Sequence, residues 1–330
     1  MATLYVTEQG AKLTRESHRL LVVRGEEVLL DVPVIKVDRI LIFGYAQITT
    51  QALELLLNEG VSCSFLSMEG KLKGTLEPVK SKNIPLRMKQ YDRSRNPEFR
   101  LSMAKRIVTG KIRNQKRLVQ RFAHNRPTED FAVALRDLDI MLDAVGPRTA
   151  TGGLLGVEGR ATAVYFEAYG RMFSQECGFD KRTRRPPRDP VNSLLSLGYT
   201  LLTNEYFSAV SAVGLDPYLG FFHRIDYGRP SLALDMVEEL RHPLVDMLTL
   251  DLLNRKILKA GDFDQTGGGF YLSPDARRKY FARYERRMTI AFKHPHCGES
   301  TNVRSIIREQ VLEMARAIRG EKDYESFFIG

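Results

Sequence analysis

Two carboxylates and an imidazole stand out in this chain of 330 residues: Glu158 in LLGVEGRATAVYF, His223 at the end of GLDPYLGFFH, and Glu238 in SLALDMVEELRHP. Each can ligate a hard or borderline divalent cation. Each also lies within or beside an apolar run, where a charge is costly unless it is paired, hydrogen-bonded or bound to a metal. One His with two carboxylates makes a mixed nitrogen and oxygen shell, which suits Mg2+ or Mn2+ better than zinc or copper. Such an ion could polarise a phosphoryl oxygen and position a hydroxyl nucleophile.

The contexts of these residues differ. After Pro230, a proline suited to a first helical position, Asp235, Glu238 and Glu239 follow at i, i+3 and i+4. Asp235 and Glu238 are then neighbours on one helix face, with His242 a turn further on between their azimuths. A solvated acidic face is the common outcome of that pattern, but Asp235 is embedded in SLALDMV, which favours a cavity. Glu158 follows Gly152, Gly153 and Gly156 in the first turns of an apolar helix, where a carboxylate also complements the helix dipole. Tyr165, seven residues on, falls on the same face and could orient that carboxylate. A lone His after two Phe, as at His223, is more often a hydrogen-bonded core residue than a ligand. His294, His296 and Cys297 form a rival cluster, HPHC, in a loop broken by proline. Spacing alone does not bring Glu158, His223 and Glu238 together.

What surrounds them is basic. Lys and Arg number 50 against 40 Asp and Glu, a formal net charge of +10. Between Lys71 and Arg126 there are 17 Lys or Arg and three acids, a footprint suited to a polyanion. KRTRRPPR, from Lys181 to Arg188, adds five cations, Arg184 and Arg185 among them. Neither stretch interleaves aromatics as a single-strand stacking platform does, so contact with a duplex backbone is expected. No apolar run reaches the roughly 20 residues of a membrane span. No signal peptide is apparent, and three scattered cysteines fit a reducing cytoplasm rather than a disulfide framework.

The elements that must position these groups fall into two sets. LYV, HRLLVV, EEVLL, DRILIFG, VSCSFLS and KLKGTL predict strands, with a hairpin at Gly25-Glu26-Glu27 and one helix over QALELLLNEG capped by Thr49 or Thr50. Residues 79–95, rich in charge and with prolines at 78 and 85 marking the stretch, predict a linker. From there on helical spacing predominates, with a capping signal at Thr128. The expected fold class is α+β: a β-rich domain over 1–78, a linker over 79–95 and an α-helical domain over 96–330.

In order, EGRATAVYF, RPPRDPVNSLLSLGYTLL, GLDPYLGFFH and GRPSLALDMVEELR resemble the motifs of the CRISPR-associated spacer integrase and endonuclease family, and the resemblance spans the whole chain. It implies a β-sandwich-like amino-terminal dimerisation domain and an all-α catalytic domain that binds metal and DNA. It also implies Glu158, His223 and Glu238 as catalytic ligands of Mg2+ or Mn2+, with Glu239 a one-residue alternative to Glu238. Asp235 then supports the site or binds DNA, and Asn192 matches a position that lines it. The implied reaction inserts short foreign DNA into a repeat array by 3′-hydroxyl attack on a phosphodiester. Implied partners are double-stranded and branched DNA, a second copy of the chain, and a small ferredoxin-like second adaptation protein completing a hetero-hexamer, with no membrane. A stand-alone metal-dependent nuclease for branched DNA in repair and a non-catalytic DNA-binding scaffold are the competing readings. A transposon-borne relative is a further one.

Overall fold

The computed structural model describes residues 2–68, 70–78, 83–125, 130–173, 177–295 and 297–329. The chain divides into two compact units, Met1–Lys82 with Arg277–Glu285, and Asn83–Ala276 with Arg286–Gly330.

The first unit is built on β1 (Ala2–Val6), β2 (Lys12–Glu16), β3 (Arg19–Arg24), β4 (Glu27–Pro33), β5 (Val37–Phe43), β6 (Gln47–Ile48), β7 (Ser62–Leu66) and β8 (Leu72–Leu76). One four-stranded sheet has the order β1-β5-β7-β8, the other β4-β3-β2-β6. Both feed one apolar core that includes Val6, Leu13, Leu20, Val22, Ile40, Ile42 and Cys63. Helix α1 (Thr50–Asn58) is capped by Thr49, whose hydroxyl accepts from the Ala52 N–H, and it buries Ala52, Leu55 and Leu56 in the same core. The turn at Gly25 adopts a φ of 61°, a conformation that favours glycine and closes the β3–β4 hairpin. From the distant part of the chain Phe281 stacks on Tyr5 at 4.4 Å.

The second unit corrects the expected linker. Residues 84–95 form helix α2 (Ile84–Arg95): Asn83 caps it by accepting from the Leu86 N–H, and Pro85 sits in the first turn. A proline that looks like a break in a charged sequence, Pro85, is here at a helix start, where the missing N–H costs nothing. Helices α3 (Pro97–Asn125), α4 (Ala132–Asp143), α5 (Thr151–Gly170) and α6 (Pro190–Val213) follow. Then come α7 (Ser231–Leu240), α8 (Met247–Asn254), α9 (Pro274–Thr289), of which Arg277–Glu285 belongs to the first unit, and α10 (Val303–Arg319). The Thr128 cap lies outside the described residues.

Two further differences have physical reasons. The helical spacing that follows Pro230 is broken by a π-helical turn at Arg241–Asp246, because Pro243 cannot donate to the helical ladder. The unit is also not wholly helical. Gly267 and Gly268, with φ of 58° and 73°, turn a hairpin of β9 (Phe263–Thr266) and β10 (Gly269–Leu272). A second pair, β11 (Phe292–Lys293) with β12 (Ser300–Thr301), lies ahead of α10. Helix α3 packs on α5 and α7, and α6 packs on α7. Among the described residues no helix is long and apolar enough to cross a membrane.

Candidate active site

Helix α3 buries Ala104, Ile107, Val108, Ile112, Leu118 and Val119, and on that same face it also buries Lys111. The Lys111 ammonium contacts Glu158 Oε1, from α5, and lies 2.8 Å from Glu238 Oε2, from α7. Three helices thus meet at one lysine. Thr162, a turn beyond Glu158, donates to Glu158 Oε1 at 3.0 Å. Glu158 belongs to the interior of α5 rather than to its first turn, so complementing the helix dipole is not its role.

His223 arrives from the irregular stretch between α6 and α7, which Asp235 organises. Its fully buried carboxylate accepts the backbone N–H groups of Phe221 (2.6 Å), Phe222 (3.0 Å) and His223 (2.8 Å), and the His223 Nδ1–H at 2.7 Å. A Cβ on Gly220 would lie 2.6 Å from Asp235 Oδ2 and 2.7 Å from the Ser231 carbonyl carbon, so only glycine permits this approach. With Nδ1 committed to Asp235, the imidazole presents Nε2, which stands 3.7 Å from Glu238 Oε1. A carboxylate that fixes the far nitrogen of an imidazole is the arrangement found behind metal-bound histidines.

Glu238 is 3 % exposed and in contact with three cationic or imidazole groups. Burial pushes its carboxyl up, but Arg241, Lys111 and His223 outweigh that and hold it below the usual carboxylate range. Glu239 points elsewhere: its Oε2 accepts the Phe327 N–H at 2.9 Å, and burial raises it to about 8. The two neighbours therefore occupy different sides of α7, with Glu238 on the side of Lys111 and His223. Side-chain exposure rises from Lys111 and Glu238, 3 % each, to His223 at 17 % and Glu158 at 20 %, which marks the side open to a substrate.

Several expected contacts do not form. Tyr165 does not meet Glu158; its hydroxyl donates to Asp246 Oδ2 at 2.6 Å. Asp246 also accepts Tyr199 OH at 2.6 Å and His242 Nδ1 at 2.7 Å, so the π-helical turn gathers a buried polar network. Burial, then Asp246, push the Tyr165 hydroxyl well above its ordinary value, while burial pulls His242 down against Asp246. Asn192 does not join the carboxylates either. It is fully buried, accepting from Arg182 Nη1 (2.7 Å) and the Thr183 N–H (2.8 Å) and donating to the Lys181 carbonyl (2.8 Å) and Asp189 Oδ2 (2.5 Å). It folds the KRTRRPPR loop onto the start of α6, and that loop leaves Arg184 and Arg185 exposed. His294 Nδ1 accepts from the Cys297 N–H at 3.4 Å, and His296 lies outside the described residues.

Lys111 and Arg241 escaped the sequence reading. A lysine on the apolar stripe of α3 was the available signal for the first. For the second it was the i+3 spacing from Glu238; Arg241 Nη2 lies 3.2 Å from Glu238 Oε1, with its guanidinium over the Tyr199 ring at 4.6 Å.

Residues 4–286 match the family model for CRISPR associated protein Cas1. The chain belongs to the Cas1 family. The CRISPR-associated endonuclease Cas1 3 of Thermus thermophilus is 39 % identical over 332 residues, covering 100 % of this chain and 98 % of the relative. Among solved structures, a casposase bound to integration product superposes with a TM-score of 0.86 at 25 % identity, over 100 % of this chain and 96 % of that one. A Cas1 protein from Thermotoga maritima gives 0.83 at 25 % identity, over 99 % and 100 %. A Cas6-RT-Cas1–Cas2 complex contains a chain of the same fold, with a TM-score of 0.84 at 23 % identity over 98 % of this chain and 36 % of that one. This Cas1-family chain is accordingly a CRISPR-associated endonuclease and spacer integrase.

Proposed function

We propose that strand joining takes place at the meeting point of Glu158, His223 and Glu238, and that these three hold Mg2+ or Mn2+. The observation that carries this reading is the shared cation: carboxylates from two helices already converge on one ammonium, beside an imidazole whose far nitrogen is fixed. Among the described residues no group of three or more His, Cys, Asp and Glu is placed to hold a metal ion. The donor types suit such an ion, and one pair has the spacing: ligands about 2.1 Å from one ion stand about 3–4 Å apart, and His223 Nε2 and Glu238 Oε1 are 3.7 Å apart. When bound, the ion supplies Lewis-acid polarisation of a phosphoryl oxygen and a more acidic attacking hydroxyl.

The protein groups do the rest. Asp235 keeps Nδ1 protonated and Nε2 facing the cluster. Glu158, the most exposed of the set, faces the incoming phosphodiester together with His223. Arg241, fixed on Tyr199, offers positive charge to the oxygen on which charge develops. A 3′-hydroxyl attacks phosphorus: one P–O bond forms, one breaks, and the proton lost by the nucleophile is regained by the departing oxygen. Water in place of the hydroxyl gives hydrolysis at the same site.

Exposed cations on α3, such as Arg113, Arg117 and Arg121, with Arg184 and Arg185, hold duplex and branched DNA through its phosphates. In the same reading the two sheets stack as a sandwich. The edge strand β4, with Val28 and Leu30 exposed, pairs the chain with a second copy. A small ferredoxin-like adaptation partner completes a hetero-hexamer, and the protein works in the cytoplasm.

The deciding experiment joins a labelled duplex with free 3′-hydroxyl ends to supercoiled DNA carrying a repeat, in Mn2+ or EDTA, with and without the partner. Joining is expected only with metal, and Glu158→Ala, His223→Ala and Glu238→Ala should each lower it by about 100-fold or more while DNA binding persists. Undiminished joining in any of these variants removes that residue from the site.

A further inference from the structure

Lys111 has no part in the chemistry set out above, yet it is the most central group of the cluster. It is 3 % exposed, so it cannot serve as one more solvated phosphate contact of α3. A buried ammonium is costly to desolvate, and here two carboxylates from different helices compensate it. Those carboxylates are the ones proposed to share a divalent ion, and two cations do not fit one place.

We infer that Lys111 is the resident cation of the metal-free site: it holds Glu158 and Glu238 to a common point, and a divalent ion binds by exchange with the ammonium. The inference rests on the reading of Glu158, His223 and Glu238 as ion ligands. Residue choice supports it. The two cations on Glu238 are divided between its oxygens, Lys111 at Oε2 and Arg241 at Oε1. Arg241 is pinned over Tyr199 and stays. Lysine, a compact charge on a flexible four-carbon stem, can release its contacts and withdraw, whereas a planar guanidinium fork binds carboxylates more rigidly. Exchange also changes the sign of the pocket. Formally, Glu158 and Glu238, with Asp235 behind His223, carry three negative charges against the two positive charges of Lys111 and Arg241, so a divalent ion added with the lysine still nearby turns the pocket from one charge negative to one positive, suited to a phosphodiester.

The test uses the full-length protein without DNA, titrated with Mn2+ and followed by the electron paramagnetic resonance of the free ion, and melted in EDTA and in Mn2+. Lys111→Met removes the competitor: it should bind Mn2+ about tenfold more tightly than wild type. It should also melt lower in EDTA and gain more from Mn2+, because tighter binding to the native state stabilises it more. Lys111→Arg, a competitor harder to displace, should bind about tenfold more weakly. Equal or weaker Mn2+ binding by Lys111→Met overturns the exchange. If Lys111→Met does not fold, wild-type affinity in Lys111→Arg overturns it. Glu158→Gln is the control for the underlying reading: unchanged Mn2+ binding there defeats the ion site itself, whereas lost binding there with no change at Lys111 defeats only the exchange.

Discussion

Asp235 shows how much one buried side chain carries. Four donors converge on its two oxygens, three of them backbone N–H groups that shape the segment bearing His223. Asp235→Asn keeps the volume but turns an NH2 toward backbone N–H groups, which can only donate. The expected result is a loss of about 1–3 kcal/mol in urea unfolding, with strand joining reduced about 10–100-fold as the imidazole loses its orientation. Wild-type stability in that variant would contradict the hydrogen-bond assignment. Glu239 makes a different prediction. Its carboxyl is raised to about 8 in the folded chain, chiefly by burial, against 4.5 as the ordinary value. A raised acid favours the native state below the lower value, and that contribution is lost as pH climbs toward the higher one. Stability should therefore fall between about pH 4.5 and 8 and level off above, and Glu239→Gln should flatten that slope in unfolding curves across the range.

At the scale of elements, the site depends on two departures from regular helix. One is the segment between α6 and α7, possible only because Gly220 lets the backbone close on Asp235 and Ser231. Gly220→Ala should cost about 1–3 kcal/mol of stability and lower joining together with it, read by thermal melting beside the strand-transfer assay; an unperturbed melt would mean the loop has room that these contacts deny. The other is the π-helical turn after α7, where Asp246 gathers Tyr165, Tyr199 and His242 and so fixes the ring on which Arg241 lies. Strand alternation, the α1 cap and the short apolar runs of the first unit were legible because each depends on neighbours in sequence. Helix α2 was not, since its proline and charges resemble a linker until Asn83 is seen to cap it.

Across the whole molecule the net charge of +10 sets the terms of DNA binding. Affinity for a short duplex should fall steeply and log-linearly with salt, and the Arg184→Ala, Arg185→Ala double substitution should reduce that slope by about two without altering sequence preference. An unchanged slope would take the loop out of the interface. Two sheets and one apolar core make a compact first unit, and β4 gives that unit an edge with apolar side chains exposed. If the chain pairs with a second copy through β4 as proposed, Val28→Asp with Leu30→Asp should leave the fold intact and turn that dimer into a monomer by light scattering; persistent dimers would place the contact elsewhere.

The sequence by itself determined the division into a strand-rich and a helix-rich part and the basic character, and it singled out Glu158, His223 and Glu238 as candidates. These follow from residue type, period and motif order, all local properties. Only the tertiary structure decided that the three meet. It also decided that Glu238 rather than Glu239 faces the cluster, that Tyr165 serves Asp246 and Asn192 the basic loop, and that a lysine lies at the centre. Period places a side chain on a face of its own helix, but which partner that face meets is set by the packing of α3, α5 and α7. A charge such as Lys111 on an apolar stripe looks like an error of pattern until the carboxylates of two other helices are brought against it.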